Sequence, residues 1–436
     1  MQHKPKVAIT FEQAKKLVVA LLFCFFLLLP ARFYTSMSLV RDVHSTLVVN
    51  YLNGVDLVAL VLCFSFLILG RGMAPTRSSL LVLLSFFVIG AVNIVGLFLS
   101  NQIQFATEIL SKGLMLTTAV LAADYFKRKL EPEQLEQVFL IPLLVLVIAA
   151  FFLQKYGSYG ATNRGGTIGF GSNETAMFAC MLIGMAFTIA LSPVIRVGLI
   201  ALAMLCVLTV SSRRGLIVGV TLLAFGCLVR VIRRKQNPKR KVVLFGCLSV
   251  LALLLFGTVF FDQIATTVAR TPLVTRILYT ERTGGDFFDL SNRFTILTDC
   301  LEDLSARPFL GFFGCDKVYA QGTNTHAHNL LLQMLVTYGC PVGTLINVYL
   351  VISFYRAIRL LLARIKGKQG GGGVSAVVFY SIYFVFDMFG YLLWNPKGLV
   401  WVVTSALLVN AEYDVAIKKK CPADQKRKMN GLKNGK

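Results

Sequence analysis

Apolar residues in this chain gather into blocks long enough to cross a lipid bilayer, and that habit limits what it can fold into. A helix needs about 20 consecutive apolar residues to span the hydrocarbon core. Blocks of this kind centre on 17–33, 54–69, 79–99, 103–123, 137–153, 174–191, 194–210, 215–232, 242–261, 341–364, 374–393 and 398–413. In lipid every backbone N–H and C=O must find its partner within the segment or a closed sheet, so blocks this long read as helices. The expected fold is an all-α polytopic membrane protein with about twelve transmembrane helices. Composition agrees: 56% of the 436 residues are hydrophobic and 15% charged.

A net charge of +23 invites a nucleic-acid reading until its distribution is traced. With the N-terminus in the cytoplasm, thirty of the 44 Lys and Arg residues fall in cytoplasmic segments and thirteen on the other side, with Lys112 inside a span. That asymmetry is the positive-inside rule, and it makes nucleic-acid binding unnecessary. Basic segments such as "RVIRRKQNPKRK" and the tail lie beside anionic headgroups, so membrane lipids are the expected partners of this charge. The first apolar block lacks a small-residue cleavage site and runs into Pro30-Ala31-Arg32, which predicts a retained span.

Four segments follow from the pattern: spans one to nine over 1–261, an outward loop with partial helices over 262–340, spans ten to twelve over 341–413, and a basic cytoplasmic tail over 414–436. The loop is the one long connection, and long connections are usually functional or disordered. Within it "SNRFTILTDCLEDLSA" has Ser291 or Asn292 as an N-cap, helical spacing of apolar positions, and a stop at Arg307-Pro308. Residues 262–325 carry six basic and eight acidic side chains, which places the loop on the outer face, the periplasm of a bacterial envelope. Cys300 and Cys315 share it and would be able to pair in an oxidising compartment. No CxxC, HExxH or similar spacing occurs among the ten cysteines and four histidines, so no metal is expected.

On this topology the polar features gather on the outer face. "SSRRG" (211–215) puts Arg213 and Arg214 where the charge rule expects few cations, in what reads as a tight turn suited to gripping a phosphate-bearing group. Arg293 lies in the loop helix. The stretch "NTHAHNLLLQMLVTYG" (324–339) holds His326 and His328, with Asn324 or Thr325 as N-cap and His328 in the first helical turn. There the positive end of the helix dipole would keep an imidazole neutral and ready to accept a proton. Asn329 would orient it, while His326 reads as a capping residue. A glycine-rich outer loop (154–173) surrounds Arg164; it has neither GxxxxGK[ST] nor GxGxxG, but its backbone can approach an anionic headgroup closely. Within spans, Glu108 and Lys112 stand i,i+4 and read as a structural pair, whereas Asp387 lies deep enough to need an arginine or a polar cavity.

"THAHNLLLQMLVTYGCPVG" resembles the histidine-asparagine motif of the O-antigen ligase and O-antigen polymerase superfamily. "NRGGTIGFGSNETAMFA", "LTVSSRRGLIVG" and "LSNRFTILTDCLEDLSARPFLGFF" precede it in the same order, so the resemblance covers roughly residues 150–400. The sequence departs from the family pattern three positions after Gly339, where Val342 stands in place of a small or aromatic residue and Gly343 follows one later. The resemblance implies a fold related to the GT-C glycosyltransferases, with one large periplasmic loop, in the bacterial inner membrane. It implies a cofactor-free, metal-free transfer of a polysaccharide from undecaprenyl diphosphate to a sugar hydroxyl of lipid A-core, at a site facing the periplasm. Carried over, His328 is the base and Arg213 (or Arg214) and Arg293 hold the diphosphate; the residues themselves add Arg214, Arg164, Asn329 and Asp387 as expected substrate-binding groups. The rival in the same superfamily is the polymerase, whose acceptor is a second lipid-linked glycan. A protein O-oligosaccharyltransferase and a transporter or flippase stand further off, because transporters gather polar groups at mid-membrane in paired broken helices.

Overall fold

A computed structural model describes residues 11–28, 40–42, 49–52, 54–69, 76–153, 172–189, 191–210, 212–233, 290–315, 327, 329–365, 374–388 and 399–416. The helices are α1 (Phe11–Leu28), α2 (Gly54–Leu69), α3 (Arg77–Leu99), α4 (Ala106–Lys129), α5 (Pro132–Leu153), α6 (Ser172–Thr188), α7 (Pro193–Thr209), α8 (Arg213–Arg233), α9 (Leu290–Ala306), α10 (Leu330–Ile365), α11 (Val374–Met388) and α12 (Leu399–Ala416). A short antiparallel hairpin, β1 (Val40–Asp42) with β2 (Val49–Leu52), interrupts the helical pattern. Among the described residues five helices are long and apolar enough to cross a membrane: α3, α4 with its preceding 3-10 turn, α5, α10 and α12. Shorter apolar helices lie in α2, α7, α8 and α11. The expected ninth span, 242–261, lies outside the described residues.

α11 is the buried axis. Thirteen of its 15 residues are buried, as expected of a helix with apolar side chains on all faces. Phe379 stacks on Trp401 of α12 at 4.3 Å, and Phe139 of α5 packs on both rings. A second aromatic cluster, Phe23, Phe66, Tyr125 and Phe126, joins α1, α2 and α4 through edge contacts. A helix buried end to end must also satisfy its terminal N–H and C=O groups. At the first end Glu136 of α5 does so, accepting from the Val374 N–H (2.7 Å), the Ser375 N–H (2.9 Å) and the Ser375 hydroxyl.

α10 is a hairpin of two helical arms. Gly339 adopts φ 77°, ψ 167°, outside helical geometry, and Pro341 follows. In a straight helix Leu331 and Asn347 would stand about 24 Å apart. Instead the Asn347 amide donates to the Leu331 carbonyl at 2.8 Å, so residues 330–338 fold back along the long arm. The segment after α9 fixes the bend: Cys340 N–H donates to Pro308 O (2.7 Å), Phe312 N–H to Val336 O (3.2 Å) and Gly314 N–H to Thr337 O (2.8 Å). Only glycine fits at the crossing, because a Cβ on Gly339 would lie 2.2 Å from Phe309 O at a φ that side chains rarely adopt.

Lys112 ties this segment to α4, donating to Gly314 O (2.7 Å) while paired with Glu108 (2.9 Å). Cys300 and Cys315 sit in the same buried cluster as free thiols. Because both side chains of the Glu108–Lys112 pair are under 10% exposed, Lys112→Met should cost about 3–5 kcal/mol by removing the cation beside a buried carboxylate. Thermal unfolding of the detergent-solubilised chain should show part of that loss recovered in Glu108→Gln/Lys112→Met.

Candidate active site

Three helix N-termini meet at the far end of α11. The first belongs to α8, where Ser212 is the N-cap: its hydroxyl oxygen accepts from Gly215 N–H (3.1 Å) and its O–H donates to Asn173 of α6 (2.9 Å). Gly215 permits this approach, since a Cβ there would lie 2.4 Å from Ala176. Within the expected tight turn at 211–215, residues 212–215 are instead the start of a helix, and Arg213 and Arg214 occupy its first turn. That placement sets two cations at the positive end of a helix dipole, which is unfavourable unless acceptors or an anion lie close by. Arg214 is half-buried and donates to Phe386 O in the last turn of α11 (3.2 Å).

The second N-terminus is that of α10. Its cap is Asn329, whose side-chain oxygen accepts from Leu332 N–H (3.0 Å) while its amide donates to Met388 O (3.1 Å). This corrects the expected cap at Asn324 or Thr325. The helix begins at Leu330, one residue after its cap, so position 328 does not fall in the first helical turn. The chain is held on both sides of that position: Ala327 N–H donates to the buried Gln333 side chain (2.9 Å), which in turn donates to Thr337 (3.0 Å). The third N-terminus, α6, contributes Glu174 in its first turn.

Between these ends lies a buried polar patch. Asp387 is fully buried, and one turn earlier the buried Tyr383 hydroxyl lies within electrostatic reach of both Asp387 and Glu174. Arg214, Asp387 and Glu174 each take part in further interactions. The structure thus brings together Arg214, Asn329 and Asp387 from the expected set. Arg213 opens α8 and Arg293 lies in α9, their side chains outside the described atoms; Arg164 and His328 lie outside the described residues. Sequence reasoning missed Ser212, Glu174, Tyr383 and Gln333. Ser-x-x-Gly before an apolar run was a cap signal, and "SNETA" carries a lone carboxylate at the start of a span. Tyr383 gave no signal at all within its apolar run.

Chemically the arrangement offers three dipole ends and a guanidinium to a negative group, with carboxylates and a phenol behind them. Among the described residues no three His, Cys, Asp or Glu side chains gather so as to hold a metal ion.

Two substitutions test the connections. Asn329→Ala removes both the α10 cap and the tie to Met388 and should lower unfolding stability by about 1–2 kcal/mol. Arg214→Lys should cost about 1–3 kcal/mol, because an ammonium does not reproduce the planar reach to Phe386 O. Thermal unfolding in one detergent compares both with the unaltered chain.

Residues 199–346 match the family model for O-antigen ligase. The matched stretch contains Arg213, Arg214, Arg293, His328 and Asn329, and leaves Arg164, Glu174 and Asp387 outside it. No curated protein matches the chain.

Proposed function

We propose that this membrane protein is an O-antigen ligase, a reading supported by the match of residues 199–346 to that family's model. It moves a polysaccharide from undecaprenyl diphosphate to a sugar hydroxyl of lipid A-core at the periplasmic face of the inner membrane. The observation that carries this reading is the meeting of three helix N-termini with Arg214 at one end of α11, an arrangement made for an anion. In this reading about twelve spans cross the membrane and the site end of α11 faces the periplasm.

The transfer breaks the bond between the anomeric carbon and the diphosphate oxygen while the acceptor oxygen forms a new bond to that carbon. His328 takes the acceptor proton. The leaving oxygen gains negative charge, and fixed guanidinium groups at Arg213, Arg214 and Arg293 stabilise it without reorganising. Arg164 joins them from the glycine-rich loop. Asn329 sets the direction of the chain leaving position 328, and Asp387 holds Arg214 in place from behind. In-line attack inverts the anomeric centre, which linkage analysis of the product would check.

Polymerase action shares donor and machinery and differs in its acceptor, a second lipid-linked glycan. Expression in a strain lacking its ligase should restore long glycan on lipopolysaccharide, and expression in a strain lacking its polymerase should not restore chain length on the carrier; the reverse pattern would assign the polymerase. With purified protein, His328→Ala should reduce transfer by at least about a hundredfold, the usual contribution of a positioned base. His326→Ala should be mild, and equal loss from both would overturn the assignment. Transfer should persist in EDTA.

A further inference from the structure

A cavity of about 740 Å³ lies between α6, α8, α10 and α11, and its walls are graded in one direction. Near the site end it is lined by Ile217, Val218, Ile382 and Val385. Three hydroxyls on its walls are already spent on their own helices: Thr188 donates to Gly184 O (3.0 Å), Thr221 to Ile217 O (2.8 Å) and Ser381 to Val377 O (2.8 Å). The wall therefore offers hydrocarbon and little else. Among the described lining residues charge appears only at the opposite end, where Arg196 and Arg364 stand, and none of those residues is acidic. Arg196 is fixed by the carbonyls of Ala186 (2.8 Å) and Leu191 (3.0 Å), and Arg364 by Glu412 (3.5 Å).

We propose that this cavity is a binding site for an anionic phospholipid of the inner leaflet, its acyl chain between the four helices and its phosphate at Arg196 and Arg364. The assignment to the inner leaflet rests on the orientation proposed above. The polarity of the cavity argues against the tail of the glycan donor. A donor held at Arg214 needs its charge at the site end, whereas Arg214 and Asp387 do not line this space and the two guanidiniums that do lie at the far end. Ile217 and Phe225 on its wall are 51% and 49% exposed, so a seated acyl chain also covers apolar surface there.

The test uses the full-length protein in nanodiscs of phosphatidylcholine doped with phosphatidylglycerol, read by native mass spectrometry. Phosphatidylglycerol should be retained over phosphatidylcholine by about fivefold or more, the preference one arginine near a headgroup confers. Adding phosphatidylglycerol to the delipidated protein should raise its unfolding temperature. Thr221→Phe, which fills the cavity away from both arginines, should abolish retention; Arg364→Gln/Glu412→Gln should erase the preference for the anionic lipid. Absence of bound lipid, equal retention of both phospholipids, or displacement of the bound lipid by undecaprenyl phosphate would overturn the proposal. Because the readout is lipid binding, failure of glycan transfer would count against the ligase reading and leave this one standing.

Discussion

A helix buried along nearly its whole length has two ends that lipid cannot satisfy, and the rest of this structure is arranged around closing them on α11. A carboxylate from α5 takes the N–H groups at one end; a guanidinium from α8 and an amide from α10 take the carbonyls at the other. The signs agree with the helix dipole, negative at the start and positive at the finish. Satisfying those carbonyls draws the starts of α8 and α10 to the same place, with α6 joined to α8 through Asn173 and Ser212. The same contacts that hold the fold thus assemble the corner where Arg214 meets three helix N-termini.

The bend in α10 makes this geometry possible. A continuous helix through residues 330–365 would carry its N-terminus about 14 Å beyond Gly339. Folding back at Gly339 returns that N-terminus toward α11, and the segment after α9 stitches the bend shut through its backbone. The matched family region includes both partners of this stitch, the segment 307–315 and the short arm 330–338. Backbone hydrogen bonds thus hold the bend, while the Asn329 and Gln333 side chains hold the start of the short arm.

Much of the site was legible because lipid leaves polar residues few reasons to be where they are. Arg214 and Asn329 stood out as polar groups at span boundaries and Asp387 as a charge deep within a span, and the structure joins them at one end of α11. Hydropathy also located the bulk of the described helices. It was blind to direction: "TYGCPVG" sits inside an apolar run, and a window average does not register that the chain reverses there. It was equally blind to caps supplied by distant helices. Glu136 and Glu174 gave no sign of their partners, because a carboxylate at a helix terminus looks the same whether it faces water or another helix. The N-cap of α10 was placed too early since Asn324, Thr325 and Asn329 are all good caps, and the choice rests on a tertiary bond to Met388.

The structure offers two unlike places: a corner at one end of α11 where Arg214 meets three helix N-termini, and an apolar cavity whose described charged lining residues, Arg196 and Arg364, stand at the other. The central claim is that the corner holds a lipid diphosphate beside position 328. Photo-crosslinking tests it most directly, using a polyprenyl diphosphate with the reactive group next to its diphosphate and mapping the label by peptide mass spectrometry. The account requires label on residues 212–215, 327–330 and 386–388, competed by unlabelled diphosphate and not by the neutral polyprenol. Label confined to other helices, or competed equally by the alcohol, would contradict it.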